Sequence, residues 1–299
     1  MLNEVVACLS PRTGDVCLDV TLGLGGHAAA IAPQLGAGVY VGLDRDTQAL
    51  ALAEARLRAL ALPVRLSLHH VSFADAPHAL AAAGVPGADC ILADLGISSL
   101  QLDSVERGFG WRFDEAPLDL RMDASRGQAA AERLAAAELD ELARVLRDWG
   151  EVRQARRIAA ALLAAAPATM ADCNAAIAPF ERAEPRGSLR ARVLQALRIW
   201  INDELGQLDA FLAALPAMAR PGARLCILTY HSLEDRPVKK AFQAWQRGCV
   251  CPPLQPVCTC GQPPLGRRHV QCTPSAAEQA ANPRSRSARL RGFTFAEAA

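Results

Sequence analysis

The stretch Val16-Cys17-Leu18-Asp19-Val20-Thr21-Leu22-Gly23-Leu24-Gly25-Gly26-His27 decides the fold. A short apolar run, Val16 to Val20, ends at a glycine cluster, and a helix-like segment from Ala28 to Leu35 follows, stopped by Gly36 and Gly38. Glycines between a strand and a helix allow a tight turn and let a ligand approach the backbone closely. The first helical turn adds N–H groups that have no partner within the helix. Working outward, Val39 to Leu43 reads as a second strand ending at Asp44, and Gln48 to Leu60 as a helix. Val64 to Leu68 reads as a third strand and Cys90 to Ala93 as a fourth, ending at Asp94. This alternation predicts an α/β fold with a mostly parallel, Rossmann-like sheet covered by helices on both faces.

Two acids give the fold a candidate chemistry. Asp44 ends the second strand 21 residues after Gly23, where a carboxylate can accept hydrogen bonds from the hydroxyls of an adenosine ribose. The plainer alternative is an ordinary strand-to-helix turn beside a solvated Asp. Gly23-x-Gly25-x-x-Ala28 also fits the dinucleotide fingerprint, so an NAD-dependent oxidoreductase is the competing reading. The second acid, Asp94, precedes Leu95-Gly96-Ile97-Ser98-Ser99. Ligands of open α/β sheets lie beyond the carboxyl ends of the strands, which places Asp94, the Ser98-Ser99 turn and the glycine turn on one crevice. One carboxylate, two hydroxyls and exposed backbone suit the orientation of an amine beside a sulfonium donor; no evident hydride-transfer acid accompanies them. His231 and Ser232 end a late strand and are expected to face the same crevice. The candidate catalytic residues are therefore Asp94, Ser98 and His231.

From about Leu118 to Leu189 the pattern is helical without a convincing strand; Leu139, Leu142 and Leu146 share one helical face, Ile158 and Leu162 another. Arg190 to Leu215 reads as one long helix, with Leu194, Leu197, Ile201, Leu205, Leu208, Leu212 and Leu215 spaced by three or four. Leu225 to Tyr230 and Ala288 to Phe295 read as further strands. The expected organisation is a first α/β part over residues 1–117, a helical insertion over 118–189, and a second α/β part over 190–299 carrying a Cys/Pro-rich loop at 248–266.

Hydrophobic residues make up 51% of the 299 and charged residues 21%, which excludes a mainly disordered chain. No uninterrupted run of 18 apolar residues occurs and no basic-then-apolar tract follows Met1, so neither a membrane partner nor a secretory leader is expected and the cytoplasm is the default location. Net charge is only +1, but residues 144–200 carry a local excess of +5 and residues 267–299 one of +4. Arg284, Arg286 and Arg289 are the candidates for phosphate contact, against the alternative of a solvated basic face. Five of ten cysteines lie inside apolar runs and read as small buried hydrophobes. Cys249-x-Cys251 and Cys258-x-Cys260 put four thiols within 12 residues, a set able to hold one tetrahedral Zn²⁺. Paired C-x-C is a weaker signature than paired C-x-x-C, and no metal site is assigned from it.

Six segments taken in order carry a resemblance. They are Asp89-Cys90-Ile91-Leu92-Ala93-Asp94-Leu95-Gly96-Ile97-Ser98-Ser99-Leu100-Gln101-Leu102-Asp103, Glu106-Arg107-Gly108-Phe109, Pro117-Leu118-Asp119-Leu120-Arg121-Met122-Asp123, Leu197-Arg198-Ile199-Trp200-Ile201-Asn202, His231-Ser232-Leu233-Glu234-Asp235-Arg236 and Asn282-Pro283-Arg284-Ser285-Arg286-Ser287. Together they resemble the ribosomal RNA small-subunit methyltransferase H family, also called MraW, from about Asn3 to Leu290. The resemblance implies a class I methyltransferase that uses S-adenosyl-L-methionine on the exocyclic N4 of a decoding-site cytidine of 16S rRNA, at the position usually numbered 1402, within the small ribosomal subunit. It further implies that Gly25, Gly26, His27, Asp44, Phe73, Asp94 and Gln101 bind the cofactor. Leu100 stands where the family usually has Pro, which is expected to loosen the turn carrying Gln101.

Overall fold

In a computed structural model the structure describes residues 1–183, 188–252 and 255–297. Glu184 and Arg186 of the basic stretch, and Pro253 and Leu254 of the Cys/Pro-rich loop, lie outside the described residues.

Among the described residues, seven strands form one sheet: β1 Val16–Asp19, β2 Val39–Asp44, β3 Arg65–His70, β4 Ala88–Asp94, β5 Ala219–Thr229, β6 Gly266–Cys272 and β7 Arg289–Phe295. Their order is β3-β2-β1-β4-β5-β7-β6. β1 to β5 are parallel to one another, and β7 runs antiparallel between β5 and β6. The α/β expectation holds, and the switch in strand order between β1 and β4 places the ends of both at the crevice where such sheets bind ligands.

The period-2 alternation of the strands sorts their side chains to two faces. Val16, Leu18, Ile91, Ala93, Leu225 and Ile227 pack with helices Ala76–Ala82, Glu204–Met218 and Ser232–Arg247. Cys17, Cys90, Leu92, Cys226 and Leu228 pack with helices Leu2–Leu9, Gly26–Ile31 and Thr47–Ala59. Cys8, Cys17, Cys90, Cys173 and Cys226 are all buried, as small hydrophobes are. On the first face Phe242, Trp245, Phe293 and Phe295 form an aromatic cluster with ring centroids 5.2 to 5.7 Å apart.

The chain divides into two compact units, one of residues 1–96 with 206–299, the other Ile97–Leu205. The helical unit is thus wider than the 118–189 reading. Phe109 and Leu118 belong to its core, alongside Leu142, Leu146, Ile158, Leu162 and Leu197, and partly buried Ile97 and Leu102 pack against it. The family-like segments build this unit from within. Arg107 donates to the carbonyls of Arg121 and Met122 (3.2 and 2.8 Å), and Arg121 clasps Asp119 through two bonds of 2.7 Å. A Cβ at Gly108 (φ +69°) would collide with the Pro117 carbonyl, so glycine is required there.

Two expectations are corrected. The long helix of 190–215 is two, Leu189–Asn202 and Glu204–Met218, divided at Asp203 (φ +48°). Buried Asn202 holds the break: its Oδ1 accepts from Met122 N at 2.8 Å, and its Nδ2 donates to Leu120 O and Arg198 O at 2.7 and 2.8 Å. The late loop ends in β6, an edge strand whose Arg267, Arg268 and His269 are exposed and so leave no apolar alternation to read. Among the described residues, no helix is long and apolar enough to cross a membrane.

Candidate active site

The polar groups at the ends of β1, β2, β4 and β5 bond to one another. Asp19, a charged residue inside an apolar strand, is buried; its Oδ2 accepts from Tyr40 Oη at 2.8 Å and its Oδ1 from Thr21 N at 3.1 Å. Burial pushes its pKa up to about 6 despite those donors. Two residues on, the chain enters the glycine turn with Gly23 at φ +52° and Gly25 at φ +72°. A Cβ on Gly25 would press on Ala53 of helix Thr47–Ala59, while one on Gly26 would meet nothing within 4 Å, so the space above Gly26 is open.

Asp44 braces that turn. Its Oδ2 accepts from Gly23 N at 2.7 Å and its Oδ1 from Asp46 N at 2.8 Å. Burial raises its pKa against the pull of those two N–H groups. The spacing of Gly23 and Asp44, read from the sequence as a ribose site, is thus realised as a direct contact that still leaves carboxylate lone pairs for a further donor.

Asp94 is held from three sides. Its main-chain N–H donates to Thr21 Oγ1 at 2.6 Å, its Oδ1 accepts from Tyr230 Oη at 2.8 Å, and its Oδ2 lies 3.4 Å from His27 Nε2. The side chains of His27 and Asp94 stay 21% and 27% exposed, so the pair is reachable from solvent. Burial works against charge on His27, but Asp94 and then Asp19 outweigh it and raise its pKa above the ordinary 6.5. Among the described residues, the buried His27 Nδ1 has no hydrogen-bond partner. Burial and the Asp94 charge together hold the Tyr230 hydroxyl far above its ordinary pKa, so it stays a donor.

His231 connects to this group at one remove. Its Nε2 lies 2.9 Å from Glu234 Oε1, and Glu234 Oε2 accepts from Tyr230 N at 2.8 Å and from His231 N at 3.4 Å. Glu234 is only 3% exposed. Phe73 is half-buried, its ring edge-on to Phe211 at 6.0 Å.

In the helical unit, Ser98 and Gln101 bond to each other: Ser98 Oγ accepts from Gln101 N at 3.2 Å and Gln101 Oε1 from Ser98 N at 3.1 Å. This reciprocal box caps helix Ser99–Asp103. The turn is therefore firm with Leu100 in it, contrary to the expected loosening. Of the candidate phosphate contacts, Arg284 and Arg286 are exposed, and Arg289 lies 3.6 Å from Asp235 Oδ2. Asp235 is mainly the partner of buried Arg291, which reaches it through bonds of 2.6 and 2.9 Å and lowers its pKa. In the basic stretch, Arg147, Arg156, Arg190 and Arg198 each pair with an acid, so much of the local excess is neutralised in place.

Asp19, Thr21, Tyr40, Tyr230 and Glu234 were missed by sequence reasoning. Asp19 did leave a signal, an acid in the middle of an apolar strand; Tyr230 left none.

The profile of the MraW methylase family matches residues 1–296. The chain belongs to that family. It is similar to the ribosomal RNA small subunit methyltransferase H of Syntrophotalea carbinolica, 42% identical over 98% of this chain and 96% of the relative. It is likewise similar to those of Citrifermentans bemidjiense, 42% identical over 97% and 95%, and of Rubrobacter xylanophilus, 43% identical over 100% and 96%. This MraW family member is a methyltransferase with a Rossmann-like sheet, and the nicotinamide reading of Gly23-x-Gly25-x-x-Ala28 is not favoured. In this methylase the network around Asp94 lies at the carboxyl ends of β1, β4 and β5.

Proposed function

We propose that the protein methylates the exocyclic N4 of a decoding-site cytidine, the one usually numbered 1402, in 16S rRNA of the small ribosomal subunit, in the cytoplasm, with S-adenosyl-L-methionine as donor. The observation that carries this reading is the Asp94 carboxylate, held by Tyr230 and His27, with its main-chain N–H donating to Thr21, beside an open glycine turn. The donor set fits the cofactor: Asp44 for ribose hydroxyls, backbone at Gly25 and Gly26, the unpartnered Nδ1 of His27, and Phe73 as apolar surface for a base. When bound, S-adenosyl-L-methionine supplies a methyl group activated by its positive sulfur.

The chain's own residues have to deal with a poor nucleophile, because the N4 lone pair is delocalised into the cytosine ring. Asp94 accepts a hydrogen bond from the amine and tilts that lone pair out of conjugation. Tyr230 and the raised-pKa His27 donate to the same carboxylate and keep it aimed. Asp94 is thus an orienting acceptor that need not remove a proton first, since the nitrogen becomes acidic only as it is methylated. His231, engaged by Glu234, positions the ring of an extruded base. Ser98 shapes the turn after β4. Arg284, Arg286 and Arg289 contact phosphates, and the helical unit recognises the RNA substrate.

Labelled methyl transfer to isolated small subunits, beside calorimetric titration with S-adenosyl-L-methionine and with NAD, tests the proposal. Methyl incorporation into 16S rRNA with binding of the sulfonium nucleoside alone is expected. Binding of NAD, or no transfer to small-subunit RNA, would overturn it.

A further inference from the structure

The segment between helix Ser232–Arg247 and β6 has no core. It leaves the helix at Gly248 (φ +68°), where a Cβ would collide with Pro263, and returns with Leu265 N donating to Trp245 O at 2.8 Å. Between these two anchors none of the described residues is buried, and Val250 and Val257 are 68% and 71% exposed. Ordering a chain segment costs backbone entropy, and apolar burial does not offset that here.

Four thiols nevertheless converge within it. The sulfurs of Cys249, Cys251, Cys258 and Cys260 all lie within 4.8 Å of one another, and all four are free thiols. Cys249–Cys258 and Cys258–Cys260 are 3.5 Å apart, Cys249–Cys260 3.7 Å and Cys251–Cys258 3.9 Å. A tetrahedron with Zn–S bonds of about 2.3 Å has edges of about 3.8 Å. The main chain also turns towards the sulfurs, with Thr259 N donating to Cys251 Sγ at 3.4 Å, the kind of outer contact that offsets thiolate charge.

We propose that Cys249, Cys251, Cys258 and Cys260 bind one Zn²⁺ in a closed, structural tetrathiolate site that fixes this loop. Four soft ligands select zinc over the hard cations magnesium and calcium, and a complete sulfur set leaves no position for a catalytic water. Binding converts four thiols and one Zn²⁺ into a zinc tetrathiolate and four released protons, with no change of oxidation state. The metal takes the place of the missing apolar core between the aromatic cluster and β6.

The test is metal analysis of the full-length protein, purified without chelators and, in parallel, reconstituted anaerobically with zinc chloride under reductant. One zinc per chain is expected, lost in Cys258→Ser and kept in Cys272→Ser, whose thiol lies outside the cluster. Cobalt chloride in place of zinc should give the intense visible bands of tetrahedral sulfur coordination, and chelation should open the loop between Gly248 and Leu265 to proteases while leaving circular dichroism nearly unchanged. Absence of zinc after reconstitution, an intact mass showing two disulfides as the stable state, stoichiometric iron in place of zinc, or zinc retained by Cys258→Ser would each overturn the assignment.

Discussion

Asp94 and the Ser98–Gln101 pair stand a few residues apart in sequence, and both are polar groups just past the end of β4. Their bonds differ in origin. Ser98 and Gln101 satisfy each other within one turn of helix. The Asp94 carboxylate draws its partners from His27 and Tyr230, and its main-chain N–H donates to Thr21 Oγ1, all three residues lying on other parts of the fold. A locally satisfied pair builds structure; a carboxylate assembled from distant donors, with about a quarter of its side chain still open to solvent, is available to a ligand.

The contrast can be broken by substitution. Asp94→Ala has the largest expected effect: methyl transfer falls by about 100-fold or more, the scale of losing one oriented group in a water-poor site, while thermal unfolding changes little. Near-normal turnover in this variant would remove Asp94 from the chemistry. Tyr230→Phe comes next. It deletes a bond to a charged acceptor, worth about 1.5–3 kcal/mol, so turnover should fall about 10- to 100-fold without loss of donor affinity. An unchanged rate would show that Tyr230 does not aim the carboxylate. Ser98→Ala should cost about 1 kcal/mol of stability as a lost helix cap, and turnover at a temperature where the protein remains folded should change by less than about threefold. A large loss of turnover without loss of stability would make Ser98 catalytic and erase the distinction.

The smallest effect concerns protonation. Because its folded pKa is raised, His27 contributes stability that is fully present below the ordinary histidine pKa and is lost as pH rises through the folded value. In NMR titration His27 should lose its proton at higher pH than His69, which burial lowers. In Asp94→Asn the His27 midpoint should drop, because burial, the largest influence on the ring, then faces much weaker opposition. An unmoved midpoint would mean that Asp94 is not its partner.

β1, β2 and β4 were legible in the sequence because their apolar runs end at a glycine turn or at an acid, and the glycine turn and Asp44 because their spacing is short and their geometry local. The break at Asp203 was not, since the groups that hold Asn202 lie 80 and 82 residues away. β6 was hidden by the polar composition of an edge strand. Tyr230 meets Asp94 across 136 residues of sequence, and no local pattern announces such a pair. The second unit extends beyond the 118–189 stretch because Ile97, Leu102 and Phe109, which carry no periodicity in the sequence, join it only in three dimensions.

The central claim is that Asp94 orients a cytosine amine for methylation. Mass mapping of 16S rRNA from unmodified small subunits, after incubation with donor and either the native protein or Asp94→Ala, tests it most directly. One added methyl on the N4 of a decoding-site cytidine with the native protein, and none with the variant, is predicted. A methyl on a ribose or a ring carbon, or an equal yield from the variant, would contradict it.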